Sequence, residues 1–215
     1  MKTAFLLLLL TALLFAKQQA FEFTKQQQKI IAQQYSLQAL RRIEEFEQKI
    51  QLFKQYPKQK QLLFVNRYCN QFVSEYDAVS RLKDDYWKTP LEFLLDGKGD
   101  CEDYAILKLE MLERLGFEKQ KLYLGVVQSR GSLTYHMVLC YFSSFNKPPL
   151  VLDNLSFRVL NLKDRYDLTP LWLLNGGKIY KLSQEYLLHE TTKQKQLEKT
   201  YKNFLQRKKL KKKLF

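Results

Sequence analysis

The chain has 215 residues, of which 46% are hydrophobic and 14% aromatic. This length and composition predict one domain with a packed core, and they exclude a wholly disordered chain or two full-sized domains. The net charge is +14, of which residues 193–215 carry +9 and the rest +5. The basic excess is thus a tail, which favours a solvated extension or one that touches a membrane surface.

The first 20 residues, MKTAFLLLLLTALLFAKQQA, have the order of an export signal. Lys2 provides a short positive region, and an apolar stretch at residues 4–16 follows it. That stretch is shorter than a membrane-spanning helix requires, so the sequence predicts export across the inner membrane, with an uncleaved anchor as the alternative. The predicted location is the periplasm, and nucleic acid is not expected as a partner there.

Apolar residues recur at steps of three and four after the signal, and they predict one long amphipathic helix that Pro57 ends. The residues that carry the pattern are Ile30, Ile31, Leu37, Leu40, Ile43, Phe46 and Ile50. A second helix is predicted at about residues 60–72. Further along, Trp87 and Pro90 are expected to pack beneath the next loop, and contact of Trp87 with a substrate is the less favoured alternative.

The central motif is DGKGDCEDYAIL, residues 96–107. Gly97 and Gly99 predict a tight turn, after which Asp100 can cap a helix that ends at Gly116. An apolar stripe with helical spacing starts at Cys101, so this cysteine is predicted to lie in the first turn of a helix with one buried face.

Three strand-like runs follow at residues 121–128, 133–142 and 148–155, with a hairpin turn between the first two. Alternation of side chains places His136 and Cys140 on one face of the middle strand. The predicted fold class is α+β, in which N-terminal helices come first and the Cys101 helix packs on a small antiparallel sheet.

The three cysteines, Cys69, Cys101 and Cys140, are odd in number and fit no zinc-binding spacing. Pairing of Cys69 with Cys140 stays open at this point, but one thiol must remain unpaired within the chain. An unpaired thiol in an exported protein prompts a search for a chemical role.

Cysteine hydrolases require a thiolate, a base and a third group that orients the base. The chain contains two histidines, and His189 lies in a polar stretch whereas His136 lies in an apolar strand and needs a partner. Asp153 ends the next strand, where antiparallel pairing would bring its carboxylate beside the imidazole. Cys101, His136 and Asp153 are therefore the predicted catalytic triad.

Each member of this triad also has a purely structural interpretation. Cys101 alone would more often be a small buried hydrophobic residue, His136 a hydrogen-bonded core histidine, and Asp153 part of a turn. Their order along the chain and the elements that carry them favour the triad over three separate structural roles.

Long strings of this sequence resemble the bacterial transglutaminase-like cysteine proteinases of the LapG type. The strings are residues 85–108, HMVL at 136–139, PPLVLDNL at 148–155 and DLTPLWLLNGG at 167–177. The resemblance covers about residues 70–177 and implies a papain- or transglutaminase-like fold. It also implies that Cys101 is the nucleophile, His136 the base and Asp153 the third member.

The resemblance further implies a periplasmic, calcium-dependent endopeptidase. Such an enzyme clips the N-terminal region of a large surface adhesin near paired alanines and so releases cells from biofilm. An inner-membrane receptor that responds to cyclic di-GMP holds it in check. The resemblance supplies no side chain for an oxyanion hole, and the backbone N–H of Cys101 is the expected donor.

The acids on either side of the cysteine have two interpretations. Asp100 and Glu102 would raise the pKa of the Cys101 thiol, and a calcium ion bound between them would cancel that repulsion. From the residues alone, capping of the helix N-terminus by these acids is favoured. The resemblance implies that Asp100 and Glu102 are calcium ligands, while Asp103 is expected to stabilise the first helical turn.

These inferences divide the chain into a signal or anchor at residues 1–20, a transglutaminase-like protease domain at 21–182 and a basic tail at 183–215, either helical or disordered. Two alternative functions stay open. In the first, an amine instead of water attacks the thioester, as in transglutaminases. In the second, the chain is a calcium-binding interaction module without catalytic activity.

Overall fold

The computed structural model describes residues 21, 23–75, 86–131, 134–183 and 186–211. The predicted export signal at residues 1–20 lies outside the described residues. Within the described ranges, no helix is both long enough and apolar enough to cross a membrane.

Three helices open the described chain: α1 (Lys25–Gln34), α2 (Leu37–Phe53) and α3 (Lys58–Cys69). The prediction of one long helix before Pro57 is wrong, because Ser36 adopts an extended backbone and its hydroxyl accepts the Ala39 N–H at 3.0 Å. This cap starts a new helix in the middle of the apolar pattern. α3 ends three residues earlier than predicted, at Cys69.

The nucleophile segment comprises α4 (Pro90–Asp96), the two-residue strand β2 (Lys98–Gly99) and α5 (Cys101–Arg114). Gly97 ends α4 with φ +74°, a conformation that glycine adopts without strain. β2 pairs in parallel with β1 (Val73–Ser74), which ties the loop before the cysteine to the end of α3. The predicted helix start at Cys101 is confirmed.

Seven strands of the described residues form the main sheet: β3 (Leu122–Ser129), β4 (Tyr135–Tyr141), β5 (Leu150–Asp153), β6 (Ser156–Asn161), β7 (Leu168–Asn175), β8 (Lys178–Leu182) and β9 (Leu188–Glu190). They are antiparallel to their neighbours, in the order β6-β5-β4-β3-β7-β8-β9. The first three match the predicted runs, but the other four enlarge the small sheet that the sequence indicated. The alternation in β4 is confirmed, since Met137 packs in one apolar cluster and Cys140 in another.

The larger apolar cluster lies between α5 and one face of the sheet. Ile106, Leu107 and Met111 of α5 are fully buried in it together with Leu139 and Leu152. Of the predicted basic tail at residues 183–215, Leu188–Glu190 form β9 of the main sheet, and Lys195–Lys211 form a further helix, α6. The α+β architecture is therefore confirmed, with helices before the sheet and α5 packed on it.

Candidate active site

Cys101 is the first residue of α5, and its side chain is partly exposed. Its Sγ lies 3.2 Å from Oε2 of Glu102, to which the thiol donates a hydrogen bond. The backbone of Met137, the residue after His136, also hydrogen-bonds the sulfur. The start of α5 and the start of strand β4 are thus in direct contact at the cysteine.

The surroundings of Cys101 raise the pKa of its thiol. Burial is the largest cause, and the Glu102 and Asp100 carboxylates add to it, while the backbone hydrogen bond from Met137 opposes them. Like charges and loss of water both disfavour a thiolate. The predicted effect of the flanking acids on the thiol is thereby confirmed in direction.

His136 and Asp153 lie on the adjacent strands β4 and β5, and Nε2 of His136 is 2.8 Å from Oδ1 of Asp153. A carboxylate can only accept, so Nε2 carries the proton and Nδ1 is left as the basic nitrogen. The histidine is 8% exposed and the aspartate 1% exposed. The predicted contact between these two residues is present, and it is shielded from water.

Asp153 is held ionised in spite of its burial. Burial acts to raise its pKa, but the hydrogen bond and charge of His136, the Leu155 N–H and the Arg165 guanidinium together lower that pKa well below its usual range. Its carboxylate accepts from the Leu155 N–H at 2.9 Å and from Nη2 of Arg165 at 2.8 Å. An ionised Asp153 is the form that can orient the imidazole.

Side chains at the C-terminal end of α3 and of the residue that follows it fix the backbone around Asp153. Nδ2 of Asn70 donates to the carbonyl oxygens of Asp153 at 2.8 Å and Ser156 at 3.0 Å, and Nδ2 of Asn66 donates to Ser156 at 2.7 Å. The turn between β5 and β6 is therefore anchored to a helix more than 80 residues earlier. Sequence reasoning missed both asparagines, because a polar residue on a helix gives no sign of a distant backbone partner.

The three acids at the start of α5 are all buried. Asp100 occupies the N-cap position, but its side chain makes no capping hydrogen bond, so the capping interpretation is wrong for this residue. Oδ1 of Asp103 accepts the Lys88 N–H at 2.7 Å, so this acid orders the preceding segment in addition to lying in the first turn. Helix capping alone therefore does not explain the positions of Asp100 and Asp103.

Buried carboxylate oxygens are the donors that calcium prefers, so the chemistry of Asp100 and Glu102 fits this ion. Across the described ranges, no group of three or more His, Cys, Asp or Glu side chains is gathered so as to hold a metal. Two side-chain ligands would therefore need backbone carbonyls or water to complete a calcium shell.

Trp87 and Pro90 are buried, and their packing beneath the motif loop stays a prediction. Trp87 is 1% exposed, and its ring lies 6.0 Å from the rings of both Tyr201 and Phe204 of α6. Such burial leaves no surface for a substrate. The cysteines Cys69 and Cys140 are buried and unbridged, so they do not form the disulfide that the sequence left open.

The fold and this site define the class of the protein: a cysteine proteinase with a transglutaminase-like fold. A family model described as bacterial transglutaminase-like cysteine proteinase, BTLCP, matches residues 34–167. The match spans more than half of the chain, and the chain belongs to this family. A comparison with curated proteins found no match.

Solved structures of LapG from Legionella pneumophila are similar to this chain along most of their length. The calcium-bound structure is 34% identical, with 73% of this chain and 87% of that one covered and a TM-score of 0.63. The EGTA-treated structure is 32% identical, with coverage of 79% and 91% and a TM-score of 0.66. A third is 30% identical, with coverage of 86% and 98% and a TM-score of 0.68.

Proposed function

We propose that this protein is a calcium-dependent cysteine endopeptidase in which Cys101 is the nucleophile, His136 the base and Asp153 the orienting acid. The observation that carries the proposal is the 2.8 Å hydrogen bond between Nε2 of His136 and Oδ1 of Asp153, on a strand whose next residue, Met137, hydrogen-bonds the Cys101 sulfur through its backbone. Membership of a cysteine proteinase family supports the same reaction class.

In the proposed reaction, Nδ1 of His136 takes the proton of the Cys101 thiol, and the sulfur attacks the carbonyl carbon of the scissile peptide bond. The C–N bond then breaks as His136 donates that proton to the leaving amine, which leaves an acyl-enzyme. Water adds to the thioester with His136 as base, the C–S bond breaks, and the thiol regains its proton. Asp153 keeps Nε2–H fixed throughout, so that Nδ1 faces the reaction.

The Cys101 thiol donates its hydrogen bond to Glu102, so it must turn to His136 as acceptor before this reaction begins. Asp100 and Glu102 are the residues that would hold calcium in the proposed enzyme. The positive charge of an ion held by these residues would offset the two carboxylates, which otherwise raise the pKa of the thiol. Glu102 would then no longer compete with His136 for the thiol proton. Legionella pneumophila LapG, one of the similar proteins, has been solved with calcium bound.

The proposed substrate is the N-terminal region of a large repetitive surface adhesin, cut near paired alanines, with release of cells from biofilm as the result. The proposed location is the periplasm, reached through residues 1–20 as a cleaved signal or as an anchor. The proposed regulator is an inner-membrane receptor for cyclic di-GMP that inhibits the protease. The basic tail is proposed to approach the membrane surface through its lysines.

The test is cleavage of a recombinant N-terminal adhesin fragment from the same organism, in calcium, by the wild-type protein and by Cys101→Ala. We expect two products with the wild type and an intact fragment with the variant. An uncut fragment in both reactions would refute the proposed substrate. Inclusion of a labelled primary amine separates the acyl-transfer alternative, which would place the label on the fragment instead of cutting it.

A further inference from the structure

Arg165 is a buried guanidinium next to the candidate triad. It follows the short 3-10 helix Leu162–Asp164 between β6 and β7, and it is 8% exposed. Its Nη2 donates to Oδ2 of Asp153 at 2.8 Å. Nε and the same Nη2 also donate to the two oxygens of Asp167, at 2.8 and 2.6 Å. The guanidinium therefore bridges two carboxylates.

We propose that Arg165 is a positioning residue that holds the Asp153 carboxylate in the orientation required by His136. The proposal rests on the proposed function of the triad. The two oxygens of Asp153 have separate tasks, because Oδ1 accepts from His136 and from the Leu155 N–H, whereas Oδ2 accepts from Arg165. Bonds to both oxygens fix the rotation of the carboxylate plane.

Asp167 keeps the guanidinium in place. A two-point contact between a guanidinium and a carboxylate restricts both translation and rotation of the arginine head group. The side chain of Asp167 is 60% exposed, so its role differs from that of the fully buried Asp153. Loss of the Asp167 carboxylate would loosen the Arg165 side chain but leave the positive charge of Arg165 in place. We therefore expect a smaller effect on the Asp153 carboxylate than from loss of Arg165 itself.

The charges that face Asp153 come from three elements. From β4, His136 hydrogen-bonds Asp153, and the buried thiol of Cys140 lies within range of its charge. The β6–β7 connection brings Arg165 and the like-charged Asp167, and the buried Lys108 of α5 acts on Asp153 through its charge. Burial lowers the pKa of Lys108 to about 8, so its support weakens in alkaline solution. Arg165 keeps its charge at every working pH, which makes it the constant partner of Asp153.

The sign of the expected pH effect follows from this geometry. The lowered pKa of Asp153 means that its ionised, bonded form is present above that pKa and is lost as the pH falls through it. Removal of Arg165 leaves Oδ2 buried without its donor, so the carboxylate would bind a proton at a higher pH. The pH below which the hydrogen bond between His136 and Asp153 is lost would therefore be higher in the absence of Arg165.

The chain has two histidines, so replacement of His189 leaves the imidazole signals of His136 alone in the NMR spectrum. In a His189→Gln background, the imidazole Nε2–H signal in a proton NMR spectrum reports the bond to Asp153 without any substrate. When Arg165 is present, we expect a His136 Nε2–H signal that is protected from exchange with water and persists at acid pH. The same signal should be broadened by exchange in Arg165→Met and partly restored in Arg165→Lys. Asp167→Asn should fall between wild type and Arg165→Met.

A signal in Arg165→Met that persists to the same acid pH as in wild type would overturn the proposal. If Arg165→Met does not fold, the comparison of Asp167→Asn with wild type decides, and an unchanged signal in that folded variant would equally overturn it.

A protected wild-type signal in a protein that cuts no adhesin fragment would refute the proposed function and leave the role of Arg165 intact. With an active enzyme, kcat/KM should fall on the order of tenfold to a hundredfold in Arg165→Met, mainly through kcat.

Discussion

His136 and His189 provide a matched pair of substitutions. His136 hydrogen-bonds Asp153 inside the structure, whereas His189 is exposed on the edge strand β9. We expect His136→Ala to lower kcat by about a thousandfold or more, because the base and its ordering carboxylate act as a unit. His189→Ala should keep wild-type kcat. The measurement is the initial rate of adhesin-fragment cleavage, and an equal loss in both variants would show that the base is misassigned.

The candidate triad could be predicted at the level of single residues because each member occupies a position with a local signature. Cys101 follows a glycine turn at a helix start, and His136 is one of two histidines. Arg165 has no such signature, since an arginine between acids in a connecting segment is typical of a solvated loop. Its burial depends on the path of the chain from β6 to β7, which only the tertiary structure determines.

The helix α6 covers the segment that precedes the nucleophile loop. Phe204 is 1% exposed against Trp87, and Nη2 of Arg207 donates to the Trp87 carbonyl at 2.7 Å. The next residue, Lys88, holds Asp103 through its N–H. The tail helix thus supports the segment that hydrogen-bonds the first turn of α5, where Cys101 lies, and its charge pattern did not indicate this role.

This arrangement predicts that Phe204→Ala lowers the free energy of unfolding by about 3–5 kcal/mol, because it leaves a cavity against Trp87. The neighbouring Asn203 is exposed, and Asn203→Ala should change that free energy by no more than about 0.5 kcal/mol. Urea unfolding followed by circular dichroism measures both values. Equal, small effects in the two variants would mean that α6 does not pack on the domain.

Elements with strong periodicity were predictable, and those with weak periodicity were not. The strands β3, β4 and β5 are apolar runs in the core, but β6 is half-exposed at the sheet edge. β7 contains Pro170, which normally argues against an interior strand and is accommodated here where its register with β3 shifts beside Val127. The missed break at Ser36 is an exception to this rule, because a single capping side chain interrupts the helix inside a continuous apolar pattern.

At the scale of the whole molecule, calcium is expected to govern activity and not folding. Excess EGTA should abolish cleavage of the adhesin fragment while the far-ultraviolet circular dichroism spectrum stays unchanged, because the described core is apolar and does not depend on Asp100 or Glu102. Added calcium should restore the rate. Glu102→Gln should weaken the response to calcium, whereas Glu118→Gln, which removes an exposed acid, should not. Full activity in excess chelator would contradict the calcium proposal.

Cys101 is the proposed nucleophile, and covalent labelling followed by peptide mass spectrometry is the direct test of this role. A dialanyl peptide with a thiol-reactive warhead should modify Cys101 and spare the buried Cys69 and Cys140. His136→Ala should remove most of the labelling of Cys101, since the base would no longer take the thiol proton. Labelling of Cys69 or Cys140 instead would show that Cys101 is not the nucleophile. Labelling of Cys101 that is unaffected by His136→Ala would show that His136 is not its base.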